Sequence, residues 1–166
     1  MITATHYLYS FLLLLFPIIT GCNAPAENSE NNNIYYKVKK VSDGDSFWID
    51  NGTEKGEKIR LIGIDAPESR ATGKKQKQYF GTEAKQYLTQ LILNKEVRLE
   101  YDVTKKDQYK RTLAYIYLKD GTFLNAHLIQ NGYAIIMTFQ PNTKHANLFY
   151  KLQQEARENK RGLWKE

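Results

Sequence analysis

Apolar and polar residues alternate over Ile34–Val41 (IYYKVKKV), and the β-branched and aromatic content makes this stretch a predicted strand. Ser42–Asp45 (SDGD) has turn chemistry, Ser46–Asp50 resumes a strand, and Asn51-Gly52 is a dipeptide that favours a hairpin. Lys58–Ile64 (KIRLIGI) alternates as a third strand and stops at Asp65-Ala66-Pro67. The period then changes: Ala84, Tyr87, Leu88, Leu91 and Ile92 recur at helical spacing within Thr82–Leu93. Val97–Tyr101 and Leu113–Leu118 read as two more strands, and Asn125–Gln130 as a short helix stopped by Asn131-Gly132. Ala146–Ala156 predicts a terminal amphipathic helix ended by Gly162, with Leu163-Trp164 folding back on the body. Tyr133–Met137 is apolar but too short for its period to choose between strand and helix. Five strands, a helix after the third and helices at the end predict a mainly β domain with helices (α+β). A small closed barrel of the OB type suits that order.

Before residue 34 the pattern is different. An apolar run from Leu8 to Ile19, broken by Ser10 and Pro17, is too short to span a bilayer as a helix but fits the core of a secretory signal. It ends in Ile19-Thr20-Gly21-Cys22, which resembles the cleavage motif of bacterial lipoproteins: a branched apolar residue, two small residues and a Cys. That resemblance implies lipidation of Cys22 and attachment to a cell-envelope membrane. The chain departs from the pattern in its first residues, where Met1–Tyr9 offers only His6 in place of a basic segment. A signal cleaved for secretion, with an incidental Cys, is the alternative. Asn23–Asn33 (NAPAENSENNN) has almost nothing to bury and reads as a disordered tether with a reach of roughly 20 Å. The expected organisation is therefore an export signal at 1–21, a lipidated Cys and tether at 22–33, and a folded domain at 34–166.

Composition sharpens this division. Residues 1–21 contain no Asp, Glu, Lys or Arg, so the net charge of +6 belongs wholly to the part from Cys22 onward. A basic domain suits a polyanionic partner. With one Cys in 166 residues, an intramolecular disulfide and a cysteine zinc site are both excluded. At 42% hydrophobic residues the chain is not a disordered tail.

Three polar clusters fall at the ends of predicted strands: Asp43-Gly44-Asp45, then Arg60 with Asp65-Ala66-Pro67-Glu68, then Asp107–Arg111. Carboxylates gathered at one point repel unless a cation compensates them. Their oxygens favour a hard ion such as Ca²⁺, with Mg²⁺ or Mn²⁺ open on this ground alone. Arginines beside them suit phosphate, which guanidinium grips with paired hydrogen bonds. A hard cation, two arginines and a spare carboxylate together make a plausible kit for phosphodiester hydrolysis.

VSDGDSFWI, IRLIGIDAPE, YKRTLAYIY and the C-terminal GLW, in this order over nearly all of Ile34–Glu166, resemble the staphylococcal nuclease (thermonuclease) family. The resemblance implies a five-stranded OB-fold barrel with three α-helices and Ca²⁺-dependent hydrolysis of DNA and RNA to 3′-phosphate products. It also implies a preference for single-stranded or unwound segments and a monomeric enzyme. By the same resemblance Asp45 and Asp65 are the calcium carboxylates, and Ala66 supplies a backbone carbonyl where the family commonly has Thr. Glu68 activates or positions the attacking water, Arg60 and Arg111 bind phosphate, and Asp43 supports the metal's water. Tyr109 lies near the nucleotide. Where the family has two tyrosines flanking the nucleotide, this chain has Met137 and Phe139, of which Phe139 can still stack. A lysine near the terminal phosphate is replaced by Gln108.

Two other classes stand beside the enzyme. One is a non-catalytic OB-fold module that binds single strands; degenerate copies of this kind are expected to lose acids or arginines, and this chain keeps all five. The other is a structural or adhesion lipoprotein built on the same barrel. The basic loop Arg70–Gln78 is open to two readings, a solvated loop or a guide for DNA. His127 and His145 lack companion ligands and are expected to be structural.

Overall fold

The computed structural model describes residues 34–71, 73 and 75–165. The expected signal, Cys22 and the tether lie outside the described residues.

Five strands close into a barrel in the spatial order β1 (Tyr35–Asp43), β2 (Ser46–Ile49), β3 (Glu57–Leu61), β6 (Thr112–Leu118) and β5 (Glu96–Glu100). The β3–β6 pair is parallel and the others are antiparallel. Closure follows from alternation: Val38, Phe47, Ile59, Val97, Ala114 and Ile116 point inward and are fully buried, while Lys40, Trp48 and Lys58 lie on the opposite faces of their strands. Each buried Val, Ile or Phe contributes about 1.5–3 kcal/mol relative to exposure. The expected mainly β barrel with three helices is thus the observed architecture. The helices are α1 (Gly81–Ile92), α2 (Leu124–Gln130) and α3 (Ala146–Glu158). Helix α1 seals one end of the barrel with Ala84, Leu88 and Ile92, the stripe set by the helical period.

The third strand is shorter than its alternation predicts. It breaks at Ile62-Gly63, where Gly63 turns at φ +77°, and resumes as β4 (Ile64–Asp65). The ambiguous segment at 133–137 supplies the partner: β7 (Ile135–Ile136) pairs with β4, setting Asp65 opposite Ile135. Asp65 therefore stands on a small ladder of its own beside the barrel mouth. The C-terminal turn at Gly162–Trp164 folds back as expected, with Leu163 N–H donating to the Gly132 carbonyl at 2.9 Å.

The strand break is held by a residue that periodicity does not reveal. Asn125, fully buried on α2, donates from Nδ2 to the Ile62 carbonyl at 2.9 Å and accepts from Ile116 N–H at 3.0 Å. Asn125→Leu leaves both backbone groups without a partner. Urea unfolding is expected to show a loss of about 2–4 kcal/mol, and a loss below about 0.5 kcal/mol would remove this role.

Candidate active site

The β2–β3 register sets Ser46 opposite Arg60, which brings the β1–β2 turn beside the Arg60 side chain. Gly44 makes that turn possible. A Cβ on it would lie 2.7 Å from the Ala66 Cβ and 3.0 Å from the Ala84 Cβ, so any larger residue would push the turn away from both β4 and α1. On the other side, a Cβ on Gly81 would lie 2.2 Å from the Glu68 carbonyl oxygen, so the start of α1 can lie against the Glu68 backbone only as glycine. Glu68 N–H donates to Gln78 Oε1 at 2.9 Å, and Gln78 N–H returns a bond to the Glu68 carbonyl at 3.0 Å, which closes the basic loop at its base.

These contacts build an open cleft of about 650 Å³. Asp43, Asp45, Arg60, Asp65, Glu68, Arg111, Tyr109 and Phe139 all line it, together with Gln108 and Met137. The positions expected to act together are therefore brought together, from four separate stretches of chain. Two expected positions stand apart. Ala66 is buried behind the cleft wall and donates its N–H to Asp45 Oδ2 at 3.3 Å, and Cys22 lies outside the described residues.

The electrostatics centre on Arg60. One nitrogen, Nη2, faces Asp45 Oδ2 at 3.0 Å and Asp65 Oδ1 at 2.8 Å, while Nη1 donates to the carbonyls of Leu61 and Ile64, both at 2.7 Å. Burial pushes the Asp45 carboxyl above its ordinary range; Arg60 draws it back, and neighbouring Asp65 pushes it up again. Two carboxylates thus converge on one point where positive charge is required. Among the described residues no group of three or more His, Cys, Asp or Glu side chains is arranged to hold a metal, so the convergence consists of this carboxylate pair. All its donors are oxygens, which fits a hard cation better than zinc. Asp43 does not join it: its Oδ1 accepts from Gly44 N–H at 2.9 Å and Ser69 N–H at 3.2 Å and ties the turn to the segment carrying Glu68.

The other two candidates are also paired. Glu68 carries an ion pair with Lys75 of the basic loop, and the Lys75 ammonium is pushed up by that hydrogen bond. Arg111 Nε donates to Asp107 Oδ2 at 2.6 Å, and Asp107 Oδ1 accepts from the backbone N–H of both Tyr109 and Arg111 at 2.9 Å. Burial pushes Asp107 up, but the bonds from Arg111 outweigh it and hold the carboxyl below its ordinary range. The spacing Asp107-x-x-x-Arg111 could have flagged this pair in the sequence. Tyr109 and Phe139 are 71% and 69% exposed on the cleft rim, with the Tyr109 ring 5.4 Å from the Arg111 guanidinium carbon, so both offer open faces for stacking.

His127 and His145 stay out of the cleft, as expected. His127 Nε2 lies 2.8 Å from the Tyr87 hydroxyl, and His145 Nε2 lies 3.0 Å from Glu100 with its ring edge-on to Tyr115.

Residues 58–166 match the family model described as staphylococcal nuclease homologue. The chain belongs to the staphylococcal nuclease family. It is 36% identical to a thermonuclease of Staphylococcus intermedius over 93% of this chain and 91% of the relative. It is also 36% identical to a thermonuclease of Staphylococcus hyicus, over 92% and 89% of the two chains. A further relative, an uncharacterized endonuclease of Haemophilus influenzae, is 32% identical over 95% of this chain and 77% of its own.

Proposed function

We propose that this nuclease is a Ca²⁺-dependent, sugar-nonspecific phosphodiesterase that cuts DNA and RNA to 3′-phosphate products. In this reading it favours single-stranded or unwound segments and works as a monomer. It is anchored to a bacterial cell-envelope membrane through lipid on Cys22. One observation carries the catalytic reading: Arg60, Arg111, Asp45, Asp65 and Glu68 face a single cleft in a member of this family.

Asp45 and Asp65 would hold the ion; the Ala66 carbonyl, which the resemblance adds to them, belongs to a residue outside the cleft lining. When bound, such an ion neutralises phosphate charge and polarises the phosphoryl oxygens. Arg60 and Arg111 grip the non-bridging oxygens and stabilise the charge that grows on them in the transition state. With Asp45 and Asp65 taken by an ion, Arg60 Nη2, which now faces both carboxylates, would be freed for a phosphate oxygen, while the Leu61 and Ile64 carbonyls fix Nη1 and set the guanidinium plane. Asp107 orients Arg111 in the same way. Glu68 accepts a hydrogen bond from the attacking water and takes its proton as the oxygen closes on phosphorus. The new bond joins water oxygen to phosphorus, and the bond to the 5′-oxygen breaks. That oxygen leaves with the electron pair and is protonated by water, so the phosphate stays on the 3′ side.

Hydrolysis of single-stranded DNA by the purified chain is expected with Ca²⁺ and to be lost in EDTA. Activity undiminished by chelator would overturn the metal reading, and binding without turnover in Ca²⁺ would favour the non-catalytic module. For the anchor, Cys22→Ala is expected to shift the protein from the membrane fraction to the soluble fraction. If the variant stays equally membrane-bound, lipid on Cys22 is not what holds it.

A further inference from the structure

A second depression of about 540 Å³ lies on the outer face of β2 and β3. It shares Lys58, Tyr109 and Arg111 with the cleft, so the two cavities adjoin at these residues. Trp48 lies in the second cavity, between the cross-strand neighbours Lys40 on β1 and Lys58 on β3. Its Nε1–H donates to Ser42 Oγ at 3.1 Å, which fixes the ring. Lys55 Nζ lies 5.8 Å from the ring centroid, and Lys106 and Lys110 also line the cavity. The single carboxylate among the described lining residues, Glu57, is engaged by the Thr112 hydroxyl.

Arg111 is already paired with Asp107, but the four lysines that line this cavity repel one another unless an anion lies among them. A planar platform flanked by cations matches one ligand chemistry in particular, a single-stranded nucleic acid with an unstacked base and phosphates on either side. The volume lies within the range of about 300–1,000 Å³ typical of ligand pockets. We infer that a single strand extends from the cleft past Arg111 into this depression, where Trp48 stacks a base and Lys55, Lys106 and Lys110 hold backbone phosphates. The inference rests on the nuclease reading and adds a subsite to it, one that acts on long substrates and not on dinucleotides.

The chain has two tryptophans, and the other, Trp164, packs against Arg157 at the C-terminus. Its indole N–H has no hydrogen-bond partner, so Trp164→Phe removes none and leaves Trp48 as the sole tryptophan emitter. In EDTA, where no cleavage occurs in the metal-dependent reading, an oligothymidylate of about 12 nucleotides is within the site size of an OB fold. It is expected to quench Trp48, and a dinucleotide is not. Lys106 and Lys110 are exposed, and a Lys106→Gln/Lys110→Gln variant is expected to flatten the slope of log affinity against log salt by about 1.4. Trp48→Leu, with its fold checked by urea unfolding, is expected to weaken oligomer binding about 5-fold or more. A polyphosphate that binds as tightly without quenching would overturn the stacking role. Unchanged emission with bound oligomer, or an unchanged salt slope in the lysine variant, would overturn the subsite. Quenching and slope retained in a protein that hydrolyses nothing would support the subsite and overturn the catalytic reading. Cleavage of long and short substrates with the same KM before and after the lysine changes would overturn the subsite alone.

Discussion

Glu68→Gln is expected to lower kcat on single-stranded DNA by about 10²–10⁴-fold, the usual contribution of a positioned proton acceptor. The amide keeps the shape of the carboxyl but cannot accept the proton of the attacking water. Substrate grip depends on Arg60 and Arg111, which the change does not touch, so KM should hold. The fold should hold as well. The one side-chain partner lost is Lys75, whose side chain is 67% exposed, and a pair so open to water is worth about 0–1 kcal/mol. The split between kcat and KM separates a chemical role from a structural one: a loss confined to kcat, with urea stability unchanged, belongs to the chemical step. A variant as active as the wild type would remove Glu68 from the mechanism.

Much of this site is legible in the sequence, for a physical reason. Strand alternation in KIRLIGI and the Pro67 stop locate the end of a strand, and a polar residue at a strand end in a small barrel has few places to go except the mouth. That reasoning brings Arg60, Asp65 and Glu68 close together, and the turn chemistry of SDGD does the same for Asp45. The partner of each charge was not legible. Arg60 meets Asp45 through the β2–β3 register and Asp65 through a two-residue ladder with β7, a strand too short to leave a period. Asn125 reads as an ordinary position on a short helix, and only the tertiary fold reveals that it answers the carbonyl left by the broken strand. The basic loop was readable as charge, but its contact with Glu68 depends on the Gln78 closure, which has no sequence pattern. The cavity around Trp48 was hidden for a similar reason. Its cations come from the β2–β3 connection, from the start of β3 and from the loop before β6, which is distant in sequence from the other two.

Arg60→Met is expected to be the most damaging single change for the ion-free fold. The side chains of Arg60 and Asp45 are each 12% exposed, and that of Asp65 is 30% exposed, so removing the guanidinium leaves two carboxylates facing each other with little water between them. Breaking a buried pair in this way costs about 3–5 kcal/mol, and the lower end applies here because Asp65 reaches solvent. The loss should depend on pH in a defined direction. Asp45 is already pushed above its ordinary value by burial and by Asp65, and losing Arg60 removes the main group that draws it back. A carboxyl whose folded pKa lies above its unfolded value favours folding below the unfolded pKa, and that contribution disappears as pH rises through the folded pKa. The deficit of the variant should therefore be largest at neutral pH and shrink towards about pH 4, the ordinary carboxylate range. In the metal reading, Ca²⁺ should also restore part of the stability, because an ion that binds the folded state alone stabilises it by mass action. Urea unfolding at neutral and acidic pH, with and without Ca²⁺, measures both effects. A deficit independent of pH would mean that Arg60 contributes packing rather than charge. A deficit that shrinks in acid but ignores Ca²⁺ would keep the carboxylate pair and remove the cation from it.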